Sequence, residues 1–423
     1  MEAKKEKVGF RFPFYVTKKI GLAPWKYWLI RVGGILLAFL LTAVVCNIVR
    51  PGSFGMFFVQ IQQGCFDFTD FSTFIDLFAV FAVLLLISLA LVPAFKMKFW
   101  NIGAEGQILA GCTVATLIAK YISPSVPDFV VMVLCLVGAI AAGIFWSVIP
   151  AIFKALFNTN ETLFTLMMNY IAIQLAGMFY SFMAPNNRYE SFRNAVFPEV
   201  FDTTGFFTII FAILIFVLIF FYIKKSIHGY EISVVGESIN TARYVGINVK
   251  KVIIRTMIFA GAIMGFIGFL IVCDVNHGQF NNSIVGGQGF TGVLIAWLGH
   301  FEPAEIALFS FLTAIMSQTT SKMATPLEVP ALYFGQICTG IFFFVIIACE
   351  FFSNYQVKVH RNKEFEEFYS GPDSEKKERI KSTSNKFVCF WKWFGYYISY
   401  PFSRLRAYCI FNKTERIAKE ANK

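Results

Sequence analysis

The chain has 423 residues, of which 57% are hydrophobic and 15% charged, with a mean hydropathy of +0.63. A typical soluble domain carries about 25% charged residues, so the composition excludes a disordered chain, a nucleic-acid-binding tail protein and an ordinary cytosolic enzyme. In so apolar a chain the net charge of +11 points to membrane-flanking loops, because Lys and Arg are retained on the cytoplasmic side of a bilayer.

Residues 1–27 form a basic arm containing Lys4, Lys5, Lys7, Arg11, Lys18, Lys19 and Lys26. No small-residue cleavage pattern follows it, so it reads as a retained cytoplasmic arm and signal anchor. A helix needs about 20 apolar residues to cross a bilayer. Ten segments meet that length: 27–49, 74–95, 104–122, 129–149, 161–184, 206–223, 252–273, 284–301, 304–321 and 331–352. The expected fold is therefore all-α and polytopic, with about ten transmembrane helices. An even count puts both termini on one side. Placing them in the cytoplasm leaves 17 basic residues on inner segments before the tail and five on outer ones, a strong orientation signal.

Between spans, residues 50–73 and 185–205 are expected to face outward and to meet an external partner. Residues 224–251 face inward and are too varied for low complexity, so they read as an ordered loop. The tail, 353–423, opens with a solvated mixed-charge run. It ends in an aromatic stretch bearing Lys386, Lys392, Arg404 and Arg406. Such a stretch suits an interfacial helix, and a docking surface for a soluble subunit is the other reading.

Polar residues inside spans are costly and so draw attention. In NIGAEGQ, Asn101 and Glu105 are four apart on one helix face, with Gln107 close by and Gly103 and Gly106 permitting a helix break. A broken helix beside a cavity presents backbone groups to a polar solute. A polar helix start at the cytoplasmic edge, with Glu105 on the positive helix terminus, accounts for the same residues. In TNETLFTLMMNYIA, Glu161, Thr165 and Asn169 form one stripe at four-residue spacing. That stripe reads either as interhelical hydrogen bonding or as the wall of a solute path. Gly261, Gly265 and Gly268 read as close helix packing, and Gly286, Gly287, Gly289 and Gly292 as packing or a re-entrant turn.

No catalytic constellation emerges. The four histidines are scattered, and HExxH, GxSxG and CxxC are absent. The nine cysteines fall mostly in apolar runs and read as small buried hydrophobes, not as a disulfide framework or a zinc site. There is no GxxxxGK[ST], so any ATP that drives this chain is bound by another subunit.

Four strings in order carry a family resemblance: NIGAEGQ, NETLFTLMMNYIA, GESINTARYVGINVKKVIIRTMIFAGAIMGFIG and GGQGFTGVLIAWLGHFEP. Over roughly residues 74–349 the chain resembles the permease subunits of bacterial ABC importers for simple sugars and nucleosides, and it is most similar to the nucleoside branch. Gly236, Ala242, Arg243, Tyr244, Gly246 and Ile247 match the family's inner-loop pattern, while Ser238 and Thr241 replace its usual Asn and Ala. The resemblance implies a permease domain over 28–352 between the basic arm and the tail, in a bacterial cell membrane. It implies a coupling helix within 224–251 seated on an ABC ATPase, with Gly236, Arg243, Tyr244 and Gly246 in that contact. It further implies a second, paralogous permease and an extracellular substrate-binding lipoprotein. This chain would be no enzyme and would bind no metal or cofactor; ATP and Mg would be handled by the partner. The rival reading is an ion-coupled secondary transporter using Glu105 or Glu161, and the lack of an internal repeat weighs against it.

Overall fold

The computed structural model describes residues 14–18, 24–67, 71–122, 126–183, 190–191, 196–197, 205–281 and 283–359, with a few single positions in the tail. The aromatic tail stretch up to Phe402 and most of residues 185–205 lie outside the described residues. A helix occupies each of the ten apolar segments. In order these are α1 (Pro24–Val49), α3 (Phe71–Lys96), α4 (Ala104–Ile122), α5 (Asp128–Phe157), α6 (Glu161–Met183), α7 (Phe206–Lys225), α10 (Val249–Leu270), α11 (Gln288–Leu298), α12 (Pro303–Leu327) and α13 (Ala331–Asn354). Three further helices lie between them: α2 (Ser53–Cys65), α8 (Ile227–Glu237) and α9 (Ile239–Tyr244). Among the described residues seven helices are long and apolar enough to cross a membrane by length and composition.

The chain divides into two compact units, residues 34–347 and residues 1–33 with 348–423. In the second unit β1 (Phe14–Lys18) pairs antiparallel with β4 (Tyr355–Val359), Phe14 opposite Val359 and Lys18 opposite Tyr355. Arg31 and Glu350 form an ion pair there at 3.2 Å. This ribbon joins a stretch of the arm to a stretch of the tail more than 300 residues further on, a pairing that no local sequence signal announces.

In the larger unit α3 and α10 are buried along most of their length, whereas α5, α6 and α7 turn broad apolar faces outward. That inside-out apolarity is what a lipid-solvated bundle requires, and close packing of small residues then holds helices together. The tightest seam runs between α5 and α10. A Cβ on Gly143 would lie 2.6 Å from the Gly265 Cα, and one on Gly261 would lie 2.7 Å from the Gly143 carbonyl oxygen. Gly268 packs in the same way on α4, where its Cβ would fall 2.6 Å from the Ile108 carbonyl oxygen.

α10 ends in a π-helical turn, Ile271–Val275. Within it Asp274 Oδ2 accepts from the Thr208 amide (2.7 Å) and hydroxyl (2.6 Å), which fixes the start of α7. β2 (Glu190–Ser191) pairs with β3 (Gln279–Phe280) just beyond that turn. α2 fills the segment expected to be an outward loop. Arg50, just before it, reaches the Pro326 carbonyl at the end of α12, while Cys65 at its far end contacts Thr319. At 13 residues it is too short to register as a span.

Candidate functional site

Two helices begin inside the bundle. After α3 the chain turns at Lys98 and runs back to start α4 at Ala104. The returning segment is gripped by α6. Ile102 N–H donates to Thr165 Oγ1 (3.1 Å), Gly106 N–H donates to Asn169 Oδ1 (2.8 Å), and Asn169 Nδ2 donates to the Ile102 carbonyl (2.6 Å). Asn101 Oδ1 accepts from Gly103 N–H at 3.0 Å, and the Asn101 and Gln107 amides bond each other at 3.3 Å. A helix start has N–H groups without intrahelical partners. Here the Asn101 and Asn169 side chains supply acceptors that water would otherwise provide. Gly106 suits this close approach: its Cβ would stand 2.9 Å from Asn169 Oδ1 and 3.0 Å from Trp146 Nε1.

The second broken helix is α11. Gly286 and Gly287 adopt the left-handed conformation (φ +60° and +83°) that glycine accepts without strain, and α11 starts at the next residue. Both Glu105 carboxylate oxygens cap it, accepting from Gly287 N–H at 2.9 Å and Gly289 N–H at 2.7 Å. A Cβ on Gly289 would collide with the Glu105 backbone, so glycine permits the two helix starts to touch. Glu105 is 4% exposed.

Asn101, Glu105, Gln107, Thr165 and Asn169 thus join two helix breaks and α6 in one buried set of hydrogen bonds. Glu161, at the start of α6, pairs instead with Lys154 at 2.9 Å. Both carboxylates that an ion-coupled carrier would need are committed to partners in this chain. Gly236, Arg243, Tyr244 and Gly246 lie apart from this set. Ser226 caps α8 and Ser238 caps α9. Ala242 is buried with Met97, Phe99, Val235 and Ile253, while Arg243 is exposed and Tyr244 is 95% exposed.

A groove of about 630 Å³ opens beside the start of α11. Its polar lining is Gly287, Gln288 and Thr291, Thr313, Ser317 and Ser321 of α12, and Gln336 and Thr339 of α13, set between apolar walls that include Leu84, Leu294, Leu332, Phe290 and Phe343. None of its lining residues is Asp, Glu, Lys or Arg. None of the six polar residues singled out, Asn101 before α4, Glu105 and Gln107 on α4, and Glu161, Thr165 and Asn169 on α6, lines it. Glu105 instead holds the backbone of its rim at Gly287. Of the groove residues, sequence reasoning singles out Gly286 and Gly287 as packing or a re-entrant turn but not those of α12 and α13, although Thr313, Ser317 and Ser321 recur at four-residue spacing as Glu161, Thr165 and Asn169 do. Thr313 donates to its own helix at the Phe309 carbonyl, 2.7 Å. Such self-bonding hydroxyls are ordinary in membrane helices and raise little notice.

An apolar bundle with two internal helix breaks beside a groove of mixed polarity is a frame in which a permease can hold a polar solute. Residues 73–348 match the family described as "Branched-chain amino acid transport system / permease component", and the chain belongs to that family. It is similar to the guanosine ABC transporter permease protein NupP of Bacillus subtilis, with 32% identity over 54% of this chain and 68% of that one. The glucose ABC transporter permease protein TsgB13 of Haloferax volcanii is 26% identical over 78% of this chain and 87% of its own. The nucleoside ABC transporter permease protein NupB of Lactococcus lactis is 28% identical over 62% and 76%. The chain is therefore a permease subunit of the ABC-transporter class, in which a partner subunit hydrolyses ATP, and the ion-coupled reading gives way.

Proposed function

We propose that this chain forms half of the path for a neutral, hydroxyl-rich solute, a nucleoside or a related sugar. The observation that carries the reading is the lining of the groove. Hydroxyls and amides can exchange hydrogen bonds with a sugar ring, and Phe290 and Phe343 can cover a flat or apolar face. No charged side chain lines the groove to pair with a zwitterionic amino acid, and the α11 N–H groups of Gly287 and Gly289 that could hold a carboxylate are taken by Glu105. Asn101, Glu105, Gln107, Thr165 and Asn169 serve the path indirectly, as the braces that hold its broken helices. The basic arm (1–27) and the tail (353–423) flank the permease domain.

The remaining assembly follows from the charge pattern and the resemblance. The lysine-rich end of the bundle faces the cytoplasm, and the exposed surface of α9 meets the ATPase. A second permease closes the open side of the groove, and a binding lipoprotein delivers solute from outside. Transport then proceeds as rocking between outward-open and inward-open states.

Vesicles holding this chain with its ATPase and second permease should accumulate radiolabelled guanosine, and unlabelled uridine should suppress that uptake while leucine does not. Accumulation of leucine but not guanosine would overturn the substrate reading. Gln288→Leu, which removes a groove amide, should raise the KM for uptake about tenfold with kcat little changed, since one lost hydrogen bond is worth about 1 kcal/mol or slightly more. Arg243→Glu should leave insertion intact and lower uptake per ATP hydrolysed by at least about tenfold, a coupling energy of ordinary size. Unchanged uptake per ATP in that variant argues against α9 as the ATPase contact.

A further inference from the structure

The lysine-rich end contains a three-way ionic joint. Glu302, in the corner between α11 and α12, places Oε1 3.1 Å from Lys96 Nζ at the end of α3 and Oε2 3.0 Å from Lys224 Nζ at the end of α7. Partial burial pushes the Glu302 carboxyl up, but hydrogen bonds from Lys224 and Lys96 and their charges outweigh this and hold it below the ordinary carboxylate range. The Glu302 carboxylate is therefore ionised at neutral pH.

Both lysines are also anchor points of the loop assigned above to the ATPase. Lys224 precedes Ser226, whose hydroxyl caps α8. The Lys96 carbonyl lies directly under Gly236 near the end of α8, so close that a Cβ there would collide with it. On the other side of the joint the corner is held in an unusual backbone. His300 and Phe301 are both left-handed (φ +49° and +61°), a costly conformation for side chains of this size. The Phe301 ring packs 5.6 Å from Phe95 on α3. From that corner α11 runs 11 residues, about 16 Å, to Gly287 at the rim of the groove.

We propose that Glu302 is the joint through which motion of the coupling loop reaches the groove. It ties the α11–α12 corner to both anchors of α8, so that α11 moves as a lever when α8 and α9 are displaced. The inference rests on the reading of α9 as the ATPase contact. An exposed ion pair by itself adds little stability, so the proposal concerns coordination between parts rather than folding.

The test uses the whole transporter in vesicles, with guanosine as the probe and complex assembly followed by size-exclusion chromatography. Glu302→Gln should assemble normally and hydrolyse ATP, while guanosine uptake per ATP falls about tenfold. Glu302→Asp, which keeps the charge, should recover at least half of that ratio. A Glu302→Gln ratio within about twofold of the parent, or equal losses in both variants, overturns the joint. A loss traced entirely to failed assembly overturns it as well. Arg243→Glu separates the two readings: uncoupling there with a normal Glu302→Gln ratio removes the joint and keeps the ATPase contact, while normal ratios in both remove both.

Discussion

Glu105→Ala is expected to reduce uptake at least about a hundredfold, the largest effect of any single side chain outside the glycine seam. The argument is one of unsatisfied donors. Each oxygen of this carboxylate accepts one backbone N–H of the start of α11, from Gly287 and from Gly289. Removing it breaks two hydrogen bonds to a charged acceptor, one from the buried Gly289 donor and one from the Gly287 donor at the groove rim, at about 1.5–3 kcal/mol each. A deficit of about 3–4 kcal/mol corresponds to two or more powers of ten in the population of the ordered rim. Glu105→Gln separates charge from geometry. Its amide oxygen can still accept one N–H, but its NH2 faces the other donor, so it should fall between the parent and alanine. Uptake of guanosine in vesicles measures the loss, and thermal melting in detergent shows how much is stability. Wild-type uptake in Glu105→Ala would mean that the α11 start is held by something else.

Glu105 also shows how far a sequence can be read. Its cost in a span marks it as purposeful, and its distance of four residues from Asn101 puts both on one face. Two readings, helix-start capping and solute path, stayed open because the deciding group lies 182 residues further on. It is a backbone N–H, which no residue type announces. The same limit applies to β1 and β4, whose partners sit at opposite ends of the chain. Ten apolar segments could be located because length and hydropathy are local properties. The eighth shows where that logic thins: the segment 284–301 is apolar enough, but the glycine pair at its start leaves only Gln288–Leu298 helical. Groove residues such as Ser317 and Gln336 were not legible, because a serine or glutamine in a membrane helix has several ordinary uses and only packing brings them to one cavity.

Gly265→Leu is expected to prevent the bundle from folding, and the smaller change Gly265→Ala to lower its melting temperature. A Cβ at Gly265 would stand 2.9 Å from the Ala139 carbonyl carbon and 2.9 Å from the Ile140 Cα. These are backbone atoms of α5, so no side chain can rotate away and the helices must separate. Overpacking of this kind costs about 1–3 kcal/mol for one methyl group, and more for a larger one. The sign is informative, because alanine in a helix interior is intrinsically better than glycine by about 1 kcal/mol. Gly177 supplies the control on α6. Nothing lies within 4 Å of its Cβ position, so Gly177→Ala should keep that propensity gain and melt no lower than the parent. Opposite shifts for the two alanine variants, read by melting of the purified complex, would assign the cost to contact between α5 and α10. Parallel shifts would point to a general effect of alanine on membrane helices and would remove the seam as the element that positions α10.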